Sequence, residues 1–568
     1  MHEYDPKEIE GKWQKEWEKS NIYKTDESSK KPKFYILDMF PYPSGEGLHV
    51  GHPKGYIATD VVSRMKRMQG FNVLHPMGWD AFGLPAENYA IKNKVHPRIA
   101  VEKNIERFKS QLSLIGLDYD WSREISTTDP KFYKWTQWIF LKLLEKGLAY
   151  ESNEPVNWCP IDKTILANED VEDGKCERCG SVVEKRPIRQ WVLKITDYAD
   201  RLLADLDVLD WPNSIKELQR NWIGRSEGML FTAPVKDTDL TIQTFSAHFE
   251  AFAADTFVVI APDHPLLPKL LAGLTNEADI LAEAKKMVDK RLTDKFGVGK
   301  EIEGIFTGRY VVDPIGNGDL PIWVASFALA DYGTGIVKCS AHDERDFAFA
   351  KKYNLNLKPV LFPEDKNERN KVENLEICNT DMKNSILIEP SIFFGKKASE
   401  SRQEIINYLV TNKLAEKKVS YRLKDWVFSR QRYWGEPIPV LRDGDKVIPL
   451  KEEDLPLKLP EVESYEPTGT AESPLANIPE WINVKVGDRI LRRESNTMPQ
   501  WAGSSWYYLR FMDPHNDETL VGKDVEKYWN MIDLYVGGAE HATRHLIYAR
   551  FWHKFLYDIG VVSTAEPF

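Results

Sequence analysis

Cysteine is scarce in this chain, and long apolar runs are missing from it. Only five of its 568 residues are cysteine, and three of these are clustered, which argues against a disulfide scaffold and fits a reducing compartment. No run of about 18 apolar residues occurs, so no membrane span is expected. The N-terminal residues do not combine a basic segment with an apolar one, which excludes a secretory signal. These absences predict a cytoplasmic protein that does not use a membrane.

Positive charge is not in excess either. The chain has 76 Lys and Arg residues against 87 Asp and Glu residues, which gives a formal net charge of −11. A nucleic-acid partner would therefore have to bind local basic patches on an acidic body. The length is too great for one core, so several domains are expected. Eighteen tryptophans and 23 tyrosines indicate large buried surfaces rather than disorder.

The most informative segment runs from Lys33 to Gly70. An apolar run is followed by Pro-Tyr-Pro-Ser-Gly at 41–45, then by His-Val-Gly-His at 49–52, and then by a helix-like stretch. This order predicts a strand, a turn and a helix whose start offers unpaired N–H groups and partial positive charge to a phosphate. The two histidines can donate hydrogen bonds to phosphoryl oxygens. The alternative is an ordinary strand-to-helix turn with incidental histidines.

The neighbouring segments predict a parallel sheet. The helix after the motif has an apolar face that recurs every three or four residues, at Ile57, Val61, Met65 and Met68. Residues 72–75 predict a short buried strand, which completes a strand–helix–strand unit. Near the other end, 531–536 predicts a strand, Gly537-Gly538 a turn and 539–559 a helix. We interpret these as two halves of one nucleotide-binding sheet, separated by inserted domains. The turn at 41–45 and the turn at Gly537-Gly538 would both lie at its ligand-binding edge.

The histidine motif resembles the "HIGH" signature of class I aminoacyl-tRNA synthetases, and residues 39–45 resemble the leucyl-tRNA synthetase version of it. The block Gly-Trp-Asp-Ala-Phe-Gly-Leu-Pro-Ala-Glu at 78–87 agrees, because isoleucine and valine relatives usually carry His where this chain has Phe82. Further blocks match in the same order over nearly the whole chain, at 156–160, 221–228, 429–435, 504–508 and 537–541. The chain is therefore similar to bacterial-type leucyl-tRNA synthetases.

The resemblance implies an α/β fold. It consists of a Rossmann-like parallel-sheet catalytic domain that is split by a zinc-knuckle-like module and a β-rich editing domain. The expected boundaries are 1–150 for the first half of the catalytic domain, 151–190 for the module, 191–226 for a connector, 227–420 for the editing (connective-peptide) domain and 421–568 for the second half of the catalytic domain. Within the insert, residues 267–295 predict a polar helix with a solvated face.

The resemblance also implies a reaction and its residues. Leucine would be activated by ATP, accompanied by Mg²⁺, to leucyl-adenylate and transferred to tRNA(Leu), with His49 and His52 stabilising charge on the phosphate. ATP would contact Gly51, Gly537, Gly538, Glu540 and His541. Asp80 would hold the α-ammonium, and the leucine side chain would lie near Met39, Phe40, Tyr42, Tyr507, Tyr535 and His545. Without the resemblance, each aromatic residue would be interpreted as core and Asp80 as a helix cap.

Three cysteines and an aspartate resemble a zinc knuckle. Cys176 and Cys179 form a Cys-x-x-Cys pair, Cys159 opens the other arm, and Asp162 stands where a second ligand of that arm is usual. Structural zinc takes four ligands in a tetrahedron, and a carboxylate can be one of them. The alternative is a metal-free knuckle held by packing.

The proofreading part of the resemblance is incomplete. The family's editing site combines a Thr-Thr-Arg-Pro-Asp-Thr segment with a later Gly-Thr-Gly…His-Asp-x-Arg-Asp segment. The later segment is present and provides Thr334, Asp343 and Asp346, the last matching the carboxylate that would hold the amino group of a misattached residue. The threonine segment is not found at 244–250, where it is expected. Either an alternative site is formed there by Ser246, His248 and Glu250, or hydrolysis is lost.

The resemblance implies one more element, a Lys-Met-Ser-Lys-Ser loop whose lysines meet the ATP phosphates. No such segment occurs in these 568 residues, and the anticodon-binding domain expected after it is absent too. The chain is therefore expected to be a truncated form or one subunit of a split enzyme, completed by a second chain. The alternatives are a stand-alone hydrolase of mischarged tRNA and a non-catalytic tRNA-binding subunit.

Overall fold

The computed structural model describes residues 4–568, except positions 44, 46, 154, 173, 294–301, 331–332 and 463 and the side chains at 169 and 291–293. Ser44 of the first motif and residues 294–295 of the predicted polar helix lie outside the described residues. Two compact units are formed. The discontinuous unit comprises Met1–Trp222 and Lys424–Phe568, and the inserted unit comprises Ile223–Leu423.

The helices occur in both units. In chain order they are α1 Pro6–Ser20, α2 Gly51–Met68, α3 Leu84–Asn93, α4 Pro97–Ile115, α5 Pro130–Glu145, α6 Ala199–Ala204, α7 Asn213–Ile223, α8 Leu267–Leu271, α9 Glu277–Thr293, α10 Glu344–Tyr353, α11 Lys366–Glu373, α12 Ala398–Thr411, α13 Pro479–Ile482, α14 Trp501–Ser504, α15 Tyr507–Met512, α16 Lys523–Trp529 and α17 His545–Asp558.

The strands are short in the discontinuous unit and longer in the inserted one. In chain order they are β1 Lys33–Asp38, β2 Asn72–Leu74, β3 Gly78–Trp79, β4 Ile125–Ser126, β5 Ala149–Ser152, β6 Pro155–Cys159, β7 Thr164–Leu166, β8 Val171–Glu172, β9 Lys175–Cys176, β10 Glu184–Pro187, β11 Gln190–Leu193, β12 Ser226–Pro234, β13 Thr241–Ser246, β14 Phe257–Ile260, β15 Gly304–Val312, β16 Asp319–Ala325, β17 Ile336–Cys339, β18 Leu361–Phe362, β19 Ile386–Leu387, β20 Glu416–Ser420, β21 Trp426–Val427, β22 Val440–Asp443, β23 Lys446–Pro449, β24 Asn483–Val486, β25 Arg489–Arg493 and β26 Leu534–Val536.

A parallel sheet at the centre of the discontinuous unit joins the two halves of the chain. Its strand order is β2-β1-β26, and both pairings of β1 are parallel. β1 is buried continuously from Tyr35 to Asp38, as expected for a parallel strand covered on both faces. The N–H of Met39 donates to the carbonyl of Val536 at 3.2 Å, so the carboxyl ends of β1 and β26 lie side by side. The predicted α/β fold is confirmed.

Helix α2 buries a different face from the one that the sequence predicts. The predicted apolar face is 40–84% exposed, at Ile57, Val61, Met65 and Met68. The buried side chains are those of Tyr56, Thr59 and Ser63. Thr59 and Ser63 face the sheet because two buried carboxylates, those of Asp38 and Asp118, require hydrogen-bond donors there, and Tyr56 donates to the backbone carbonyl of Met39.

The inserted unit is built on two main sheets. One has the order β15-β16-β14-β17 and the other the order β13-β12-β20. The predicted polar helix is two helices, α8 and α9, and the predicted helix at 539–559 begins as a 3-10 turn at Ala539–Thr543 before α17. Within the part of the chain that the structure describes, no helix combines the length and the apolar character that crossing a membrane requires.

Candidate active site

The two motif histidines lie together at the start of α2. Their ring centroids are 4.0 Å apart. The N–H of Gly51 donates to Nδ1 of His49 at 3.1 Å, and the N–H of His49 lies 3.3 Å from Nδ1 of His52. A ring whose Nδ1 accepts a hydrogen bond carries its proton on Nε2, so both Nε2–H groups remain as donors for a ligand. Burial, followed by the neighbouring His49, lowers the pKa of His52. A Cβ at position 51 would stand 2.8 Å from Cε1 of His49, so a larger residue there would require this exposed ring to move.

The carboxyl ends of the two central strands bring the glycine turn against the first motif. Gly537 directly follows β26, and a Cβ there would lie 2.2 Å from the sulfur of Met39, which directly follows β1. Only a glycine permits this contact. The structure therefore brings Gly537 and Met39 together, although almost 500 residues separate them in the sequence. The other residues of the turn follow at once: Gly538, Glu540 and His541.

A line of stacked and hydrogen-bonded rings lies beside this turn. Phe40 stacks on Tyr507 with a centroid distance of 3.9 Å and an interplanar angle of 3°. The hydroxyl of Tyr507 lies 2.8 Å from that of Tyr535, which lies 2.6 Å from Nε2 of His545. Burial, followed by the neighbouring His541, lowers the pKa of His545 to about 3, so its ring is neutral. Its Nδ1 finds no partner among the described residues. The rings of Phe40 and Tyr507 form the apolar end of this line, and the ring of His545 forms its polar end.

Asp80 is a buried carboxylate whose charge is not matched by a hydrogen-bonded cation. It is 2% exposed, and its Oδ1 has no hydrogen-bond partner in the described part of the chain. Burial raises its pKa well above the usual value, against the opposing charge of Arg178. The N-cap of α3 is Gly83, so Asp80 does not cap that helix. Burial, followed by the charge of Asp80, raises the pKa of Tyr42, so these two groups lie near one another.

Glu436 is a second buried carboxyl group, which lies just outside the motifs found in the sequence. It is 0% exposed, and neither of its oxygens is hydrogen-bonded to a residue that the structure describes. Burial, followed by the charge of Asp80, raises its pKa well above the usual value. Its Oε1 would be 2.8 Å from a Cβ at Gly503. A signal did exist, because Glu436 directly follows the matched block 429–435.

Glu87 and Arg432, which belong to two different matched blocks, have a structural role. Glu87 ends the block 78–87, and its carboxylate accepts a hydrogen bond from the N–H of Trp434 at 2.8 Å. It also forms a buried ion pair with Arg432 at 3.0 Å. Glu87 therefore joins the blocks 78–87 and 429–435 and is not free to bind a ligand.

The cysteine cluster has the donor set of a metal site. The ligand atoms of Cys159, Asp162, Cys176 and Cys179 lie within 4.8 Å of one another. The sulfurs of Cys159 and Cys179 are 3.3 Å apart, and Oδ2 of Asp162 is 3.4 Å from the sulfurs of Cys159 and Cys176. Zinc–sulfur bonds of about 2.3 Å would separate tetrahedral sulfurs by roughly 3.8 Å. The four residues can therefore hold a metal ion of zinc's size with small adjustments.

In the inserted unit, the three predicted editing residues differ in their hydrogen bonds and in their burial. The hydroxyl of Thr334 donates to the carbonyl of Ile336 at 2.8 Å, and Asp343 caps α10 by accepting two backbone N–H groups. Asp346 is buried, with the N–H of Ser340 3.3 Å from its Oδ2. Burial, followed by the charge of Asp343 and more weakly by that of Asp255, raises the pKa of Asp346 to about 8. Of these three residues, only Asp346 is buried.

The region of the missing threonine segment is apolar. The residues Phe249–Ala254 form a buried 3-10 turn. Within it, Oε1 of Glu250 is ion-paired with Arg402, and Oε2 has no hydrogen-bond partner in the described part of the chain. The next two residues, Asp255 and Thr256, repeat the end of the Thr-Thr-Arg-Pro-Asp-Thr pattern. Thr256 donates its N–H to the carbonyl of Cys339 at 3.0 Å, close to Asp346, and its hydroxyl has no partner within the described ranges.

Comparison with known proteins shows to which family the chain belongs. Residues 12–228 and 395–542 match the family model of class I tRNA synthetases (I, L, M and V), and residues 220–410 match the model of the leucyl-tRNA synthetase editing domain. The chain is also similar to a solved structure, the ternary complex of the agnB2 LeuRS of Agrobacterium radiobacter K84 with tRNA and LeuAMS. The two are 36% identical with a TM-score of 0.85, over 100% of this chain and 67% of that one. The predicted family is confirmed, and the chain belongs to the leucyl-tRNA synthetases of class I.

Proposed function

We propose that this chain is a leucine–tRNA ligase. A carboxylate oxygen of leucine attacks the α-phosphorus of ATP, the bond to the β-phosphate breaks, and pyrophosphate leaves with Mg²⁺. A ribose hydroxyl of tRNA(Leu) then attacks the leucyl carbonyl and AMP leaves. The observation that carries this proposal is the unmatched carboxylate of Asp80, which is buried near Tyr42.

The residues divide this work by position. Asp80 holds the α-ammonium, and the leucine side chain lies against the ring line of Phe40 and Tyr507. The Nε2–H groups of His49 and His52 donate to the α-phosphate as charge builds on it. The adenosine lies on the glycine turn after β26, where Gly537, Gly538, Glu540 and His541 contact it. Positioning and charge stabilisation supply most of the rate in such a reaction.

The substitution His52→Ala tests this assignment. It should slow leucyl-adenylate formation by about 10²–10³-fold, the usual cost of losing one donor to a developing charge, without changing the thermal unfolding midpoint by more than a few degrees. The control is His515→Gln, which changes an exposed histidine of the same unit outside the histidine motif. An unchanged rate in His52→Ala would refute the assignment.

We propose that the cysteine cluster binds structural zinc. The ion would be held by Cys159, Asp162, Cys176 and Cys179 and would fix the Cys-x-x-Cys turn, which carries Arg178 near Asp80 and Tyr42. Purified protein should contain about one zinc per chain by mass spectrometry, and the double substitution C176S/C179S should remove it. The control Cys378→Ser, outside the cluster, should retain it. Equal metal content in the parent and the double variant would contradict this proposal.

We propose that the inserted unit proofreads through Asp346, with weak activity. Asp346 would hold the amino group of a misattached residue beside Asp255 and Thr256, while the four preceding residues offer no hydroxyl and no guanidinium. Asp346→Ala should make mischarged tRNA accumulate faster than in the parent. Asp365→Ser, which keeps an exposed helix cap in the same unit, is the control. If accumulation is the same in the parent and in Asp346→Ala, proofreading by this unit is refuted.

We propose that the lysine loop comes from a protein segment that docks on the exposed apolar face of α2. The similar synthetase has about a third of its length outside the match. This face lies on the helix that starts at the histidine motif, so a segment bound to it could reach the proposed ATP site from the same helix. Val61→Glu should weaken activation by an added lysine-loop fragment while leaving the folding of this chain unchanged. Equal activation of parent and variant would exclude this face as the docking surface.

The localisation we infer is cytoplasmic, where tRNA(Leu) and ATP are available.

A further inference from the structure

A buried charged network lies beneath the helix that carries the histidine motif. His75 directly follows β2 and is 0% exposed. Its Nδ1 lies 2.6 Å from Oδ1 of Asp118, and its Nε2 lies 3.1 Å from Oδ2 of Asp38. An ionised carboxylate only accepts hydrogen bonds, so a ring with a carboxylate at each nitrogen carries both protons and a positive charge. His75 is therefore an imidazolium that joins two carboxylates.

The same two carboxylates hold α2. The hydroxyl of Thr59 lies 2.8 and 3.0 Å from the two carboxylate oxygens of Asp38. The hydroxyl of Ser63 donates to Oδ2 of Asp118 at 2.5 Å. These two helix residues are four positions apart and lie on one face of α2. The helix is thus attached to the sheet through a polar network whose centre is His75.

The network also reaches the residues proposed to bind the substrates. Asp38 is the last residue of β1 and directly precedes Met39. Its backbone carbonyl lies 3.4 Å from the hydroxyl of Tyr507, and Tyr56 of α2 donates its hydroxyl to the carbonyl of Met39 at 3.1 Å. A change in the network would therefore move α2 relative to the stacked rings of Phe40 and Tyr507, against which the leucine side chain is proposed to lie.

We propose that His75 is a positioning residue for adenylate formation, acting through Asp38 and Asp118 to fix the helix that carries His49 and His52 against the end of β1. This inference rests on the proposed function. Neither the apolar pattern of α2 nor any of the matched motifs points to His75, because its role depends on charges contributed by two other segments.

Electrostatics agree with this geometry. Burial alone would lower the pKa of His75, but the charge and hydrogen bond of Asp118, followed by those of Asp38, raise it from 6.5 to about 9. Three further groups face the network: Tyr119, whose hydroxyl donates to Asp38 at 2.7 Å, Arg67, 3.3 Å from Asp118, and Asp60, which accepts the N–H of Asp118 at 2.7 Å. Because the folded pKa is raised, the stabilisation by His75 is complete below about pH 6.5 and is lost as pH rises through about 9.

The test is His75→Gln in the full chain, assayed by leucine-dependent ATP–pyrophosphate exchange with a lysine-loop fragment present. Glutamine can donate to one carboxylate but cannot supply the charge. We expect kcat to fall at least about tenfold while KM for leucine and ATP changes less than about threefold, because His75 acts on geometry and not on substrate binding. The added substitution Asp118→Asn should recover part of the lost kcat, since it removes the uncompensated carboxylate.

The matched control is His553→Gln. His553 is also fully buried in the same unit and lies within hydrogen-bond distance of a hydroxyl at each nitrogen, those of Tyr508 and Thr564, but burial lowers its pKa to about 3. A parental kcat in His75→Gln, or an equal loss in the control at the same unfolding midpoint, would overturn the proposal.

If His75→Gln does not fold, the protonation of His75 can still be measured directly in the parent protein. Nuclear magnetic resonance of labelled histidine in the parent should show one ring that stays protonated at pH 8, and a neutral His75 ring at that pH would overturn the proposal. Absence of exchange in the parent itself would count against the proposed function. The ring titration would then still decide whether the charged network exists.

Discussion

At the scale of single residues, the buried carboxylate of Asp80 gives the sharpest prediction. Asp80 must be ionised to bind an ammonium group, and burial raises its pKa, so leucine affinity should fall as the pH is lowered. Asp80→Asn should raise the KM for leucine by about tenfold or more, because a hydrogen bond to a charged group contributes about 1.5–3 kcal/mol, and should remove that pH dependence. Steady-state exchange kinetics between pH 6 and 9 measure both. A pH-dependent KM in the variant would contradict this role.

Residue types inside recognisable blocks could be found from the sequence, and residues defined by their surroundings could not. His49, His52 and Asp80 stand in matched blocks, and the motif itself suggests a role for each of them. Glu436 and His75 are notable only because they are buried and because of which charges surround them. Those charges come from segments far apart in the chain, so no local pattern contains them.

At the scale of elements, α2 shows why periodicity alone was insufficient. The sequence correctly placed the helix and its apolar face, but apolar character does not say what lies opposite. The sheet-facing side is polar because the carboxylates of Asp38 and Asp118 lie beneath it. The apolar face at Ile57 and Val61 is exposed in this chain. A pattern predicts that a face exists, and only the packing partner decides whether that face is buried.

The two faces of α2 should therefore respond oppositely to substitution. Thr59→Val removes a donor from a buried carboxylate and should destabilise the chain by about 1–3 kcal/mol. Val61→Glu changes an exposed position and should alter the stability by no more than about 0.5 kcal/mol. Chemical denaturation of both variants measures the difference. A larger loss in Val61→Glu than in Thr59→Val would show that the faces are assigned the wrong way round.

At the scale of the whole molecule, the order of the matched sequence blocks was the best guide to the arrangement of the catalytic sheet. Two segments almost 500 residues apart form neighbouring strands, β1 and β26, and their turns meet at Gly537 and Met39. The sequence predicted that both turns face one site because each follows a strand. It could not predict the strand order or the exact contact, since these depend on long-range packing.

Leucine activation by the central sheet and the two motif histidines can be measured as leucine-dependent ATP–pyrophosphate exchange, for the chain alone and with an added lysine-loop fragment. We expect strong exchange with the fragment, loss of that exchange in His52→Ala, and weak exchange by the chain alone. If protein that is folded and binds tRNA(Leu) shows no leucine-dependent exchange in either condition, this sheet does not activate leucine.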